Sequence, residues 1–174
     1  IFKVQLKAIL RASAFGKVAI MFPMICTLEE LRKAKSILNE VKLELDFAGI
    51  KYDRNIEVGI MVETPAAAII SDILAQECDF FSIGTNDLTQ YTLAVDRQNS
   101  KVNSQFDTHH ESILRLIRIT AENAKKEGIW TGICGELGAD ESLTERFIKW
   151  GVDELSVSPV YVLSLRKKIT ELYV

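Results

Sequence analysis

The chain has 174 residues, 48% of them hydrophobic and 26% charged, with a formal net charge of -3. That is enough apolar material for one sizeable core, while the slight negative balance offers no field to hold nucleic acid or an anionic membrane surface. No apolar run approaches the roughly 20 residues of a membrane helix, the first residues lack the layout of a signal peptide, and three cysteines without a Cys-x-x-Cys pair argue against a disulfide framework or a structural zinc site, so a reducing cytoplasm is the expected compartment.

Residues 1–13 carry Ile1, Val4, Leu6, Ile9 and Leu10 at roughly helical spacing, with no starting methionine and no cap before them, which predicts a chain cut from something larger. A β-branched run over 18–25 reads as the first buried strand. Thr27 with Glu30 forms a capping box that opens a helix over 28–48, stopped by Gly49. The second strand is predicted at 57–63, followed by Thr64-Pro65, an N-cap with proline at the first helical position. A third strand over 79–84 leads into a short helix over 88–95 and then a polar stretch, 96–108, rich in Asn, Gln and Ser. Thr108 with Glu111 reads as a second capping box, opening a long helix that runs toward Lys126 and stops at Gly128. Strands at 129–134 and 154–157 follow, with Gly151 as a helix stop between them and Ser158-Pro159 starting the last helix.

Strands alternating with helices imply parallel pairing through right-handed crossovers, in an α/β architecture of the barrel or doubly wound kind. Five β/α units fit a complete open sheet, and they equally fit a partial barrel, the last five units of an eightfold (β/α)8 TIM-type fold. The opening without a cap favours the partial barrel, whose two exposed strand edges predict association, swapping or dimerisation.

In such a domain ligands gather at the carboxyl ends of strands, and here those ends are polar: Glu63, then Gly84-Thr85-Asn86-Asp87, then Cys134-Gly135-Glu136. Glu63 and Asp87 lie one β/α unit apart, a pair suited to Mg²⁺, which takes one or two carboxylates with oxygens of a phosphorylated substrate; both acids equally suit the capping of the helices they precede. The Gly84 to Asp87 turn offers a close backbone approach and free N–H groups to an anion, and Arg97 could return over it as a phosphate partner. Cys134, among small residues at an open rim, suits an acid or nucleophile, whereas Cys26 and Cys78 read as buried apolar residues. His109 and His110 have no partner acid or thiol in the sequence pattern and read as cap or loop residues.

Several long strings carry a family likeness. Phe80-Phe81-Ser82-Ile83-Gly84-Thr85-Asn86-Asp87-Leu88-Thr89-Gln90-Tyr91, continuing through Ala94-Val95-Asp96-Arg97, resembles the signature of the phosphoenolpyruvate-protein phosphotransferases, enzyme I of the bacterial sugar phosphotransferase system. So do Gly59-Ile60-Met61-Val62-Glu63-Thr64-Pro65-Ala66-Ala67, Gly132-Ile133-Cys134-Gly135-Glu136-Leu137, Leu6-Lys7-Ala8-Ile9-Leu10-Arg11-Ala12-Ser13 and Met21-Phe22-Pro23-Met24. Pyruvate phosphate dikinases and phosphoenolpyruvate synthases share the shorter elements, but the Asp96-Arg97 string is nearer to enzyme I. The resemblance implies that residues 1–174 are the C-terminal part of an eightfold β/α barrel that binds phosphoenolpyruvate and dimerises. It further implies Glu63 and Asp87 as Mg²⁺ ligands, Asn86 and Asp87 as substrate contacts, Arg97 as a phosphate contact, and Cys134 as the acid that protonates the enolpyruvate carbon. The acceptor histidine belongs in the family to a separate N-terminal domain, from which the phosphoryl group passes to the phosphocarrier protein HPr; neither His109 nor His110 matches its context, and Arg11 and Arg32 do not match the family's further phosphate-binding arginines. Phe106-Asp107-Thr108-His109-His110-Glu111 departs from the relatives' pattern in a loop and helix start. Two other readings stay open: a metal-dependent aldolase or lyase acting on pyruvate enolates, and a non-catalytic interaction module whose strand-end residues only cap helices.

Overall fold

A computed structural model describes residues 1–172. Five strands, β1 (Ala19–Phe22), β2 (Glu57–Val62), β3 (Phe80–Gly84), β4 (Trp130–Cys134) and β5 (Glu154–Ser156), pair in parallel in the order β1-β2-β3-β4-β5. Each crossover steps to the next strand in the same direction. A doubly wound sheet needs a reversal of strand order, so this topology is the barrel type, present here as a partial barrel of five strands. The helices are α1 (Phe2–Ser13), α2 (Leu28–Phe47), α3 (Pro65–Ile69), α4 (Ser71–Ala75), α5 (Thr85–Leu93), α6 (Glu111–Glu127), α7 (Thr144–Trp150) and α8 (Val162–Thr170).

Alternation along the strands divides the side chains into two layers. Ile20, Phe22, Val58, Ile60, Val62, Phe81, Ile83 and Ile133 belong to a single buried core together with Leu6 and Leu10 of α1, Leu31, Leu38, Val41 and Leu45 of α2, and Ile113 and Ile117 of α6. The other face carries Met21, Gly59, Met61, Phe80, Ser82, Gly84, Trp130, Gly132, Cys134, Glu154 and Ser156. On it Phe80 and Trp130, register partners on β3 and β4, stack with ring centroids 4.4 Å apart and planes 9° from parallel.

Local signals account for most boundaries. Thr27 and Glu30 form the full capping box, Thr64 Oγ1 accepts from the Ala67 N–H with Pro65 at the first helical position, and Gly128 and Gly151 close α6 and α7 at positive φ. Four expectations are corrected. β1 ends at Phe22 rather than reaching 25, because Pro23 has no N–H to give and Met24 turns into the left-handed region at φ 55. The helix after β3 begins at Thr85, so Thr85, Asn86 and Asp87 form its first turn. His110, not Thr108, caps α6, its ring Nδ1 accepting from the Ser112 N–H. Ser158 makes no side-chain cap, and Pro159 opens a 3-10 turn ahead of α8.

The two strands that follow the shorter crossovers are tied in the same way. Asp79, just before β3, takes the Val58 N–H on its carboxylate at 2.7 Å and gives its own N–H to the Val58 carbonyl at 2.9 Å. Asp153, just before β5, does the same with Thr131, at 2.8 Å for both bonds. These paired bonds add a rung at the amino end of the ladder and hold its register.

Gly59 lies under the Phe80 ring, and a Cβ there would meet the ring at 2.6 Å and the Phe80 carbonyl. Because a backbone atom cannot swing aside, Gly59→Ala is expected to destabilise the chain by about 1–3 kcal/mol, read as a lower urea midpoint with an unchanged slope.

Candidate active site at the carboxyl rim

The strands end on one side of the sheet, and the residue after β2 is Glu63, only 4% exposed. One carboxylate oxygen accepts from the Met24 N–H at 2.8 Å, and the left-handed turn at Met24 is what aims that N–H at it. The opposite side of Glu63 is closed by Gly84: a Cβ at Gly84 would stand 2.9 Å from the Glu63 Cβ and 3.0 Å from Oε2. Burial pushes the Glu63 carboxyl above its usual range, the Met24 hydrogen bond opposes that, and the negative charge of Asp87 pushes it further up.

Asp87, in the first turn of α5, has its Oδ1 3.6 Å from Nη2 of Arg97. Arg97 reaches back because Ala94 ends α5 in the left-handed conformation and the Arg97 N–H then bonds to the Gln90 side-chain oxygen at 3.2 Å. Glu63, Asp87 and Arg97 thus form one charged group around the Gly84 turn.

A second group surrounds β4. Gly84, Cys134 and Ser156 are register partners on three adjacent strands. Cys134 is half-buried and opens on a cavity of about 650 Å³ shared with Asn86, Glu136, Ser156, Ser158 and Tyr161. Two hydrogen bonds tie this group to the first: Thr85 Oγ1 donates to the Cys134 carbonyl, and the Glu136 N–H donates to Asn86 Oδ1, both at 3.3 Å.

The remaining candidates fall elsewhere. Cys78 is buried and its thiol is pushed up to about 12, chiefly by that burial. Cys26 is half-buried, its sulfur 3.5 Å from the Thr64 hydroxyl. His109 does have an acid partner, contrary to the sequence reading: its Nε2 lies 2.6 Å from Oδ2 of Asp140, on the loop after β4. Burial works against ionisation of Asp140, but two hydrogen bonds from Ser142 and the His109 contact hold its carboxyl below the usual range. Sequence reasoning missed Met24, Thr85, Gln90 and Asp140 as parts of the rim. Thr85 was visible inside the Gly84 to Asp87 turn, Met24 and Gln90 lie within the strings that carry the family likeness, and Asp140 carried no signal.

No group of three or more His, Cys, Asp or Glu side chains that could hold a metal ion occurs among the described residues. Glu63 and Asp87 supply two carboxylates whose mutual repulsion a cation would relieve, a donor set that fits Mg²⁺ completed by substrate and water oxygens. No helix is long and apolar enough to cross a membrane among the described residues.

Solved structures with this fold include a citrate lyase from Burkholderia xenovorans LB400, with a TM-score of 0.70 at 17% identity over 95% of this chain and 53% of the other. Malate synthase from Haloferax volcanii superposes with a TM-score of 0.67 at 14% identity, over 99% of this chain and 51% of that one. These likenesses concern the fold. In sequence, residues 1–174 match the family described as PEP-utilising enzyme, PEP-binding domain, and the chain belongs to that family. It is 51% identical to the phosphoenolpyruvate-protein phosphotransferase of Haemophilus influenzae over 97% of its own length and 29% of the relative's. Against proteins of the same description, identity is 48% in Priestia megaterium and 49% in Staphylococcus aureus, each over 30% of the relative's length. The chain therefore spans less than a third of these curated relatives.

The position of Glu63 makes a prediction about stability. Between the ordinary value of 4.5 and its raised value, the folded state keeps a proton that the unfolded state has released, so stability falls as pH rises through that window and the full penalty stands above it. Glu63→Gln, which keeps an acceptor for the Met24 N–H, is expected to raise Tm at neutral pH in metal-free buffer, by about 2–4 °C per kcal/mol relieved. In scanning calorimetry the gain disappears below the window.

Proposed function

We propose that this chain carries part of the substrate rim of a Mg²⁺-dependent, cytoplasmic enzyme that transfers the phosphoryl group of phosphoenolpyruvate to an enzyme histidine and releases pyruvate, the first step of the sugar phosphotransferase system. The observation that carries the reading is the Glu63, Asp87 and Arg97 group at the carboxyl ends of the strands, where two carboxylates and a guanidinium surround one turn. Family membership and the names of the curated relatives support it.

In this reading Glu63 and Asp87 hold the metal, which when bound neutralises charge on the phosphate and on the leaving enolate. Arg97 contacts the phosphate. Asn86 has its side-chain oxygen engaged by the Glu136 N–H, so it turns its amide N–H groups to the ligand and recognises an anionic oxygen. Cys134 gives its thiol proton to the methylene carbon: the C–H bond forms as S–H breaks, and the enolate electron pair closes to the ketone. His110 caps α6 and His109 pairs with Asp140; the family resemblance implies an acceptor histidine in a separate N-terminal domain of a longer protein, which dimerises and passes the phosphoryl group to HPr.

Calorimetric titration of oxalate, a mimic of enolpyruvate, tests the rim. Binding is expected with Mg²⁺ and not without it, and Glu63→Ala and Asp87→Ala should each abolish it. Binding that persists in both variants, or that ignores Mg²⁺, would sink the assignment. In an enzyme of the relatives' full length, Cys134→Ala is expected to slow pyruvate formation by roughly 10²–10⁴-fold while oxalate binds as before.

A further inference from the structure

Thr85 differs from the groups assigned above in being wholly buried while reaching the backbone of the proposed acid. Its hydroxyl donates to the Cys134 carbonyl, and its own carbonyl accepts from the Thr89 hydroxyl at 2.8 Å, which holds the first turn of α5 rigid beneath it. Between the Cys134 carbonyl and the Glu136 N–H sits Gly135 at φ 115, a conformation that favours glycine, with Thr85 Oγ1 only 2.5 Å from where a Cβ would stand. The Cys134 to Glu136 turn is therefore tied to the first turn of α5 at the Cys134 carbonyl and at the Glu136 N–H, with Gly135 leaving room for the Thr85 hydroxyl between them. Proton transfer from a thiol to carbon demands a short, aligned approach, and a misplacement of about 1 Å can cost on the order of 100-fold.

We propose that Thr85 is a positioning residue for Cys134, its hydroxyl bond holding the thiol in line with the methylene carbon of an enolpyruvate seated on the β3 turn. The inference rests on the reading of Cys134 as the acid. After the transfer the thiolate regains its proton from water in the open cavity beside it. An apolar side chain of the same shape would fill the space under Gly135 equally well, so the hydroxyl, rather than the volume, is what serves the acid.

Thr85→Val removes the hydroxyl and keeps the shape, Thr85→Ser restores it, and Thr85→Ala serves if the valine variant does not fold. On this chain, site-resolved iodoacetamide alkylation across pH is expected to show Cys134 reacting at least about fivefold faster in Thr85→Val as its turn loosens. Thr85→Ser should return the parent profile, and Cys26 should not change in any variant. Cys134 profiles that are equal in all variants overturn the inference. In an enzyme of full length, Thr85→Val should lower kcat about 10- to 100-fold with little change in KM for phosphoenolpyruvate, and Thr85→Ser should recover most of it. Turnover undiminished in Cys134→Ser overturns the acid assignment and this inference with it, whereas loss in Cys134→Ser alongside parent-like turnover in Thr85→Val overturns the inference alone.

Discussion

Parallel pairing of β2, β3 and β4 in one register is the constraint on which the whole rim depends. Side chains alternate along a strand, so a slip of one residue between β3 and β4 would turn Cys134 into the helical layer and bring Ile133 out onto the inner face. Ile83 and Ile133 are fully buried against the helices, and exposing each would cost about 1.5–3 kcal/mol. The apolar layer thus holds the polar one in phase. Asp79 and Asp153 reinforce this from the opposite end of the sheet, each closing a two-bond rung with the neighbouring strand. Register set at the amino ends and by the core delivers Gly84, Cys134 and Ser156 side by side at the carboxyl ends.

The rim itself runs against the stability of the fold. Glu63 is desolvated and faces the charge of Asp87, with a single backbone N–H from Met24 in compensation. Met24 and Ala94 both adopt a left-handed backbone without being glycine, and each serves the rim: the first presents its N–H to Glu63, the second turns the chain so that Arg97 returns to Asp87. Unfavourable features gathered around one rim are the pattern of a site that a ligand completes.

Local signals were legible before the structure. Thr27 with Glu30, Thr64-Pro65 and Gly128 announce helix ends because capping is settled within a few residues of chain, and four of the five strands lie within a residue or so of where their β-branched runs place them. The Thr108 box failed for an equally local reason: His110 stands nearer the helix and its ring nitrogen takes the Ser112 N–H, leaving Thr108 outside. The pairing of His109 with Asp140, residues 31 apart and on different loops, had no trace in the sequence, since nothing in either residue's neighbourhood names the other.

The sequence by itself determined the alternation of strands and helices, the polar strand ends, and the strings that carry the family likeness, because each of these is written in contiguous residues. It left open whether the sheet was wound one way or two, which the unreversed strand order decided through crossovers that all step the same way. Only the tertiary structure decided which groups meet. Met24 at Glu63, Arg97 at Asp87, Thr85 at the Cys134 carbonyl and Asn86 at Glu136 are contacts between separate β/α units or across a reversed loop. Such contacts follow from sheet register and chain reversal, which are properties of the packed chain rather than of any stretch within it.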